Sequence, residues 1–323
     1  MTKLQRILYN TVVFRFLQNK SKKIVLPGFS GVCLYDVVNF FTRQVRKTSF
    51  TERAAAVSYH FIMAIPPICL FLFTLIPHLP FIKRKMLEAQ LRTLITDIIP
   101  AKEYNKNVID FVTGFLEHSR IGLLSFGFIL LLFFGSNGMM GLMRSFNKNY
   151  LGAEKRTGLK KRWIAIRLTI LIMSLLLACL LLLIMQGVVL KWLGITNLAL
   201  LKIILLVRWI FIISLIFYSI AFIYKYAPDI NKKWRLASPG SILATFLSIL
   251  GTIGFSLFVN NFGKYNAFYG SIGTIIVLMS LIYINSLILL VGYELNVSIH
   301  SLQVMAEQRT QQESGLRKQE TGS

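Results

Sequence analysis

The hydrophobic positions of the chain gather into six continuous runs, each close to the length with which an α-helix crosses a bilayer. About 20 apolar residues span the roughly 30 Å of hydrocarbon, because a helix rises about 1.5 Å per residue. The runs do not alternate polar and apolar positions, which excludes the strands of a membrane barrel. We predict an all-α, polytopic membrane protein with spans at about 53–77, 121–143, 164–190, 202–224, 241–259 and 271–299.

Shorter amphipathic patterns predict interfacial helices beside these spans. Apolar residues at helical spacing over 34–45, with basic residues alongside, indicate a helix on the membrane surface just before the first span. The run 24–41 is not counted as a span, because it contains a proline, two glycines and a central aspartate. In the outer segment 78–120, the same spacing predicts two short helices. They either cap a cavity among the spans or pack there for stability alone.

Polar segments flank the spans at both ends of the chain. Residues 1–52 form a basic arm, which includes the predicted surface helix. Residues 300–323 are rich in Gln, Glu, Ser and Gly and show no apolar period. This composition predicts a tail that is either disordered or a frayed helix.

The charge of the chain sorts by position. Lys and Arg number 36 against 13 Asp and Glu, for a net charge of +23, yet only 15% of residues are charged and 55% are hydrophobic. That composition excludes a disordered chain and argues against a soluble domain. Ten bases lie in 1–53, seven in 144–162 and four in 225–240. The positive-inside rule therefore predicts both termini in the cytoplasm, and the excess charge indicates topology rather than a nucleic-acid partner.

Polar or helix-breaking residues inside spans are costly in hydrocarbon and are our candidates for a substrate path. Each also has a structural interpretation: a kink, a bond between helices, snorkelling, an internal partner or a plain outer turn. Convergence of Asn137, Arg208 and Asn285 on one cavity would favour transport, whereas positions between packed helices would favour structure. The candidates are Tyr59, His60, Pro66, Pro67, Asn137, Arg208, Tyr265, Asn266, Tyr269, Asn285 and Glu294.

The sequence offers no pattern typical of enzymes. Four histidines are scattered, no Cys/His spacing suits a metal, and no phosphate-binding loop is present. We therefore predict no catalytic residues, no metal and no cofactor. The sequence specifies no oligomeric state.

Several segments together carry a resemblance to a known family. They are RAAAVSY at 53–59 with Pro66, YAP at 226–228, WR at 234–235 with PG at 239–240, NFGKYNAFYGSIG at 261–273 and GYELN at 292–296. With these segments in order, the chain over about 35–300 resembles the YihY/BrkB family of bacterial inner-membrane proteins, once labelled ribonuclease BN. The family positions are Arg53, Tyr59, Pro66, Gly263, Tyr265, Asn266, Tyr269, Gly270 and Glu294. The chain departs from the pattern at His60 and Pro67.

The resemblance implies a six-helix protein of the inner membrane and supplies no catalytic residues. One member type is associated with serum resistance and another with export of a lipid A precursor. Our first hypothesis is therefore a transporter or flippase-like protein for an amphipathic, anionic envelope lipid, with membrane lipids as its partners. The alternative is a scaffold or assembly partner in envelope biogenesis that transports nothing. The nuclease suggested by the old label is disfavoured.

Overall fold

The spans form helices, as the apolar runs predict. The computed structural model describes residues 28–29, 31–47, 49–75, 78, 89, 92, 109–110, 121–147, 157–192, 198–230, 233–261 and 271–320. Within these ranges the chain is almost wholly helical and has no strand, which confirms the all-α prediction. The helices are α1 Leu34–Lys47, α2 Phe50–Leu75, α3 Ile121–Asn147, α4 Gly158–Trp192, α5 Leu198–Tyr226, α6 Pro239–Asn261 and α7 Ser271–Glu320.

Helices α2 to α7 are each long and apolar enough to cross a membrane. In their apolar windows only 11% to 28% of residues are buried within the protein. Many of the other apolar side chains are exposed, forming a surface that water would disfavour and that lipid tails accept. The protein is therefore a multi-pass membrane protein, with six candidate spans in the part of the chain that the structure describes.

The six spanning helices pack in a closed ring. Each contacts the next one along the chain, and α7 returns to contact α2. The main core lies toward one end of this ring and contains residues from every span, including Ala54, Leu142, Ala165, Tyr224 and Tyr293. We call this end the basic end. There α2, α4 and α6 begin and α3 and α5 end, and it includes Arg144, Lys161, Lys225 and Lys233.

At the basic end, α6 and α7 approach each other through glycines. A Cβ on Gly240 would collide with the carbonyl oxygen of Gly292 and lie 2.6 Å from the side chain of Asn296. The same Asn296 accepts the Gly240 N–H through Oδ1 at 2.8 Å. Its amide donates to the Ser238 hydroxyl at 2.9 Å. The start of α6 is thus fixed to α7 by both packing and hydrogen bonds.

The predicted amphipathic surface helix is present as α1. It packs on α7, with Val37 fully buried in a small cluster that includes Phe29 and Ile299. Val38, a member of the predicted apolar stripe, is exposed. Because one face of α1 is covered by protein, only the other can meet lipid. Contact of that face with the membrane surface stays a prediction.

The structure describes the predicted C-terminal tail but only a few residues of the predicted outer segment 78–120. The tail is not disordered as far as Glu320, because α7 continues through it as one helix of 50 residues. The turns of the preceding span supply the nucleus, and the tail has good helix formers with no proline to stop propagation. Between 78 and 120 only residues 78, 89, 92 and 109–110 are described. The two predicted outer helices therefore lie outside the described residues.

Candidate functional site

A buried ion pair joins the first and last spans at the basic end. Nη1 of Arg53 lies 3.9 Å from Oε2 of Glu294, and the two side chains are 4% and 1% exposed. The Arg53 guanidinium also donates to the backbone carbonyl of Ser145 and lies over the ring of Phe50. Charges are costly to bury unless they are paired. The pair and the bond to Ser145 therefore connect α2, α3 and α7 at one point.

A cavity of about 300 Å³ lies beside this pair, between α2 and α3. We call it the α2–α3 cavity. Glu52 and Arg144 are exposed at its rim, while Arg53 is buried behind them. Small residues permit the space, since both helices present them here. The full lining is Glu52, Arg53, Ala56, His60, Gly141, Arg144 and Ser145.

His60 lines the cavity and is wedged against α3. Its ring lies so close to Gly141 that a Cβ there would collide with Cδ2 of the imidazole. The His60 ring also meets the ring of Tyr59 edge-on, with centroids 5.7 Å apart. Within the described ranges, its nitrogens make no hydrogen bond. Tyr59 itself is 57% exposed, so an aromatic contact links the cavity to the outer surface of α2.

Arg144 stands between this cavity and a second one of about 220 Å³. The second cavity is lined by Met140, Met143, Arg144, Asn147 and Lys161. Nε of Arg144 donates to the carbonyl of Met140 at 3.3 Å, within its own helix. The ammonium of Lys161 lies 3.4 Å from a carboxylate oxygen of Asp229, which is 2% exposed. Lys161 is therefore neutralised locally, unlike Arg144.

Two of the predicted path residues lie between packed helices. Oδ1 of Asn137 accepts a hydrogen bond of 2.5 Å from Arg162, which joins α3 to α4. Oδ1 of Asn285 accepts one of the same length from Ser248, which joins α6 to α7. Both positions match the structural interpretation, in which a span asparagine bonds a neighbouring helix.

Arg208 lies apart from both asparagines, on α5. Its guanidinium carbon is 5.5 Å from the centroid of the Trp209 ring, and Trp209 is exposed on the outer surface. None of Asn137, Arg208 and Asn285 lines either of the two cavities found among the described residues. Of the candidates within the described ranges, only His60 lines either of these two cavities, and Glu294 reaches the α2–α3 cavity only through its pair with Arg53.

The two prolines do not break the first span. Helix α2 runs without interruption from Phe50 to Leu75, with Pro66 exposed and Pro67 buried. Prolines in membrane helices are tolerated where neighbouring helices support the weakened ladder, and α3 packs along α2. Tyr265, Asn266 and Tyr269 lie outside the described residues.

Sequence reasoning missed Arg144 and Glu52 as site residues. The charge pattern assigns Arg144 to the basic loop that follows the second span, but α3 continues to Asn147. It therefore lies one helical turn beyond Gly141, on the face that receives His60. That i, i+3 spacing was the available signal. Among the described residues, no group of three or more His, Cys, Asp or Glu could hold a metal ion.

Comparison with known proteins gives consistent matches. Residues 41–317 match the family described as virulence factor BrkB. The chain is 30% identical over 254 residues to the ribonuclease-like protein YfkH of Bacillus subtilis, covering 77% of this chain and 90% of that protein. It is 35% identical over 98 residues to a UPF0761 membrane protein of Idiomarina loihiensis, covering 30% and 34% of the two. No solved structure matches.

Proposed function

Since the chain belongs to the virulence factor BrkB family and crosses the membrane with six helices, we propose that it binds an envelope lipid and moves it. The α2–α3 cavity carries this proposal. It combines charged rim residues with an apolar exterior, which is the combination that an amphipathic lipid requires. Ionisable residues in spans are rare, and those that face a cavity are candidates for function.

The cavity suits a headgroup that carries a phosphate group. Arg144 forms no ion pair within the described ranges, and His60 beside it has unused ring nitrogens. A guanidinium is well shaped for phosphate, because its N–H groups match two phosphate oxygens. The acyl chains would leave past exposed Tyr59 toward the apolar outer face. By the positive-inside rule, the basic end lies in the cytoplasm, where the lipid would enter.

A scaffold role is the second candidate. The bonds of Asn137 and Asn285 favour it, since both side chains serve helix packing rather than a path. The long α7, which runs on past the last apolar residues as an exposed helix, also offers a surface for a partner. A scaffold would retain lipid at the cavity without moving it. Neither candidate includes a catalytic step, a metal or a cofactor.

Reconstitution into vesicles tests the proposal. Fluorescent phospholipids and a lipid A precursor are incorporated in the inner leaflet, and their arrival outside is followed by quenching. The wild-type protein should move at least one of them faster than protein-free vesicles do. Arg144→Ala should slow this about tenfold, since one charge-assisted contact is worth about 1.5–3 kcal/mol. Arg235→Ala is the matched control, because Arg235 is exposed and does not line either cavity.

Two outcomes contradict lipid movement. One is transport no faster than in empty vesicles while a known scramblase works in the same preparation. The other is an equal loss in Arg144→Ala and Arg235→Ala, which would indicate a general charge effect. In the first case, cross-linking in membranes that captures a defined partner would support the scaffold instead.

A further inference from the structure

We propose that the α2–α3 cavity selects a phospholipid headgroup that carries both a phosphate and a primary ammonium group. Arg144 and His60 would contact the phosphate, and Glu52 would contact the ammonium. The inference rests on the proposed function for the lipid nature of the ligand. It adds the chemistry by which one headgroup is preferred.

The first argument is that the two rim charges do not neutralise each other. Glu52 and Arg144 line the same cavity but form no ion pair with each other. Arg144 donates one N–H to the carbonyl of Met140 within its own helix. Within the described ranges, Glu52 has no hydrogen-bond or ion-pair partner. Two opposite charges held apart across a cavity leave room for a ligand that bridges them.

The second argument concerns the charge behind the rim. Arg53 is paired with Glu294 and bonded to the Ser145 carbonyl, so its charge is already compensated. The remaining fixed charges of the lining are one guanidinium and one carboxylate. A zwitterionic headgroup satisfies both, whereas a purely anionic one would bring negative charge toward Glu52. Like-charge contacts of this kind are a usual source of specificity.

The third argument is size. The cavity has a volume of about 300 Å³, many times the volume that a single water molecule needs. The phosphate, two carbons and amine of a phosphoethanolamine group need less than this. The contact between His60 and exposed Tyr59 marks the side from which the diacylglycerol part would extend into lipid.

Glu52 also has a structural interpretation, which the test must separate. It lies in the first turn of α2, where an acidic side chain stabilises the helix through its dipole. That role would affect folding, but it would not distinguish one headgroup from another. Headgroup preference, rather than overall binding, is therefore the informative quantity.

The experiment measures lipid retention on the delipidated, full-length protein by native mass spectrometry. The probes are phosphatidylethanolamine, phosphatidylglycerol and phosphatidylcholine with identical acyl chains. Wild type should retain phosphatidylethanolamine about tenfold better than the other two. Glu52→Gln should abolish that preference and leave phosphatidylglycerol unchanged or improved. Arg144→Gln should weaken the retention of all three lipids alike, because each carries the phosphate that Arg144 would contact. Glu307→Gln and Arg235→Gln, both at exposed positions, are the matched controls.

A second arm separates a lipid ligand from a free phosphate ester. Soluble phosphoethanolamine should displace the lipid only at far higher concentration, because it lacks the acyl chains. Displacement at equal concentration would overturn the lipid ligand in favour of a soluble one. Each variant is also heated, and an unfolding midpoint matching that of wild type shows that it is folded.

Two results would overturn the selectivity: no preference for phosphatidylethanolamine in wild type, or an equal loss of all lipids in Glu52→Gln. Failure of the headgroup selectivity is distinguishable from failure of the proposed lipid transport. Selective retention without movement in vesicles would leave this site standing and remove transport. Movement of lipid without headgroup preference would support transport and remove the proposed selectivity.

Discussion

Arg53 and Glu294 show what a single residue does in this fold. Each is buried near the end of an apolar span, and each would be costly alone. Together they connect the first span to the last, with the Ser145 carbonyl as a third partner. Their distance of 3.9 Å is longer than a hydrogen-bonded pair has, so the attraction is mainly between charges.

Removing one member of the pair should be worse than removing both. Arg53→Met leaves the Glu294 carboxylate buried without its counter-charge, which typically costs about 3–5 kcal/mol. Arg53→Met with Glu294→Leu removes both charges and should recover most of that loss. The measurement is the free energy of unfolding in detergent for both single variants and the double variant. Additive losses would show that the two side chains do not interact.

Residue pairing of this kind was not accessible to sequence reasoning. Both residues were recognisable as polar positions near span ends, but nothing local indicates that they meet. Contact depends on how α2 and α7 close the ring, which is a property of packing. The same holds for the α2–α3 cavity, since its lining comes from two helices whose close approach depends on the packing of His60 on Gly141.

At the scale of helices, prediction succeeded where the cause is local. A bilayer fixes the length of an apolar run, so the runs predicted all six spans. Prediction of helix ends failed where a helix continues beyond its membrane span. Helix α3 continues to Asn147 and helix α7 continues to Glu320. Polar residues end the apolar span there, but they do not break the hydrogen bonding of the helix. Hydropathy reports the span, and only the structure reports the helix.

The close approach of α6 and α7 should depend on the absence of a side chain at Gly240. Gly240→Ala would drive a Cβ into the Gly292 carbonyl and the Asn296 side chain. Overpacking of this kind costs about 1–3 kcal/mol. Gly254→Ala on the same helix has open space around it, so it should leave stability unchanged or slightly raised. Thermal unfolding of the two variants in the same detergent checks this. Equal unfolding midpoints for the two variants would contradict the close contact of α6 and α7 at Gly240.

At the scale of the whole molecule, the ring has a basic end, and this asymmetry predicts its orientation. A cysteine at Thr157, before α4, belongs to that end, and one at Asn261, the last residue of α6, belongs to the other. Native Cys33, Cys69 and Cys179 are free, and each is replaced by serine beforehand. In spheroplasts, an impermeant maleimide should label position 261 alone, and position 157 only after permeabilisation. The opposite pattern would invert the topology.

The unbroken α7 also has a mechanical consequence. Beyond Gln303, which contacts Phe29, α7 extends about 25 Å to Glu320 at about 1.5 Å per residue. This segment is a lever whose base is held by the packing of Ile299 and Leu302 against α1 and Phe29. By the same geometry, a tilt of about 10° at the base moves the tip by about 4 Å. Small adjustments among the spans would thus become displacements large enough for another molecule to sense, and an object touching the tip could push back on the base.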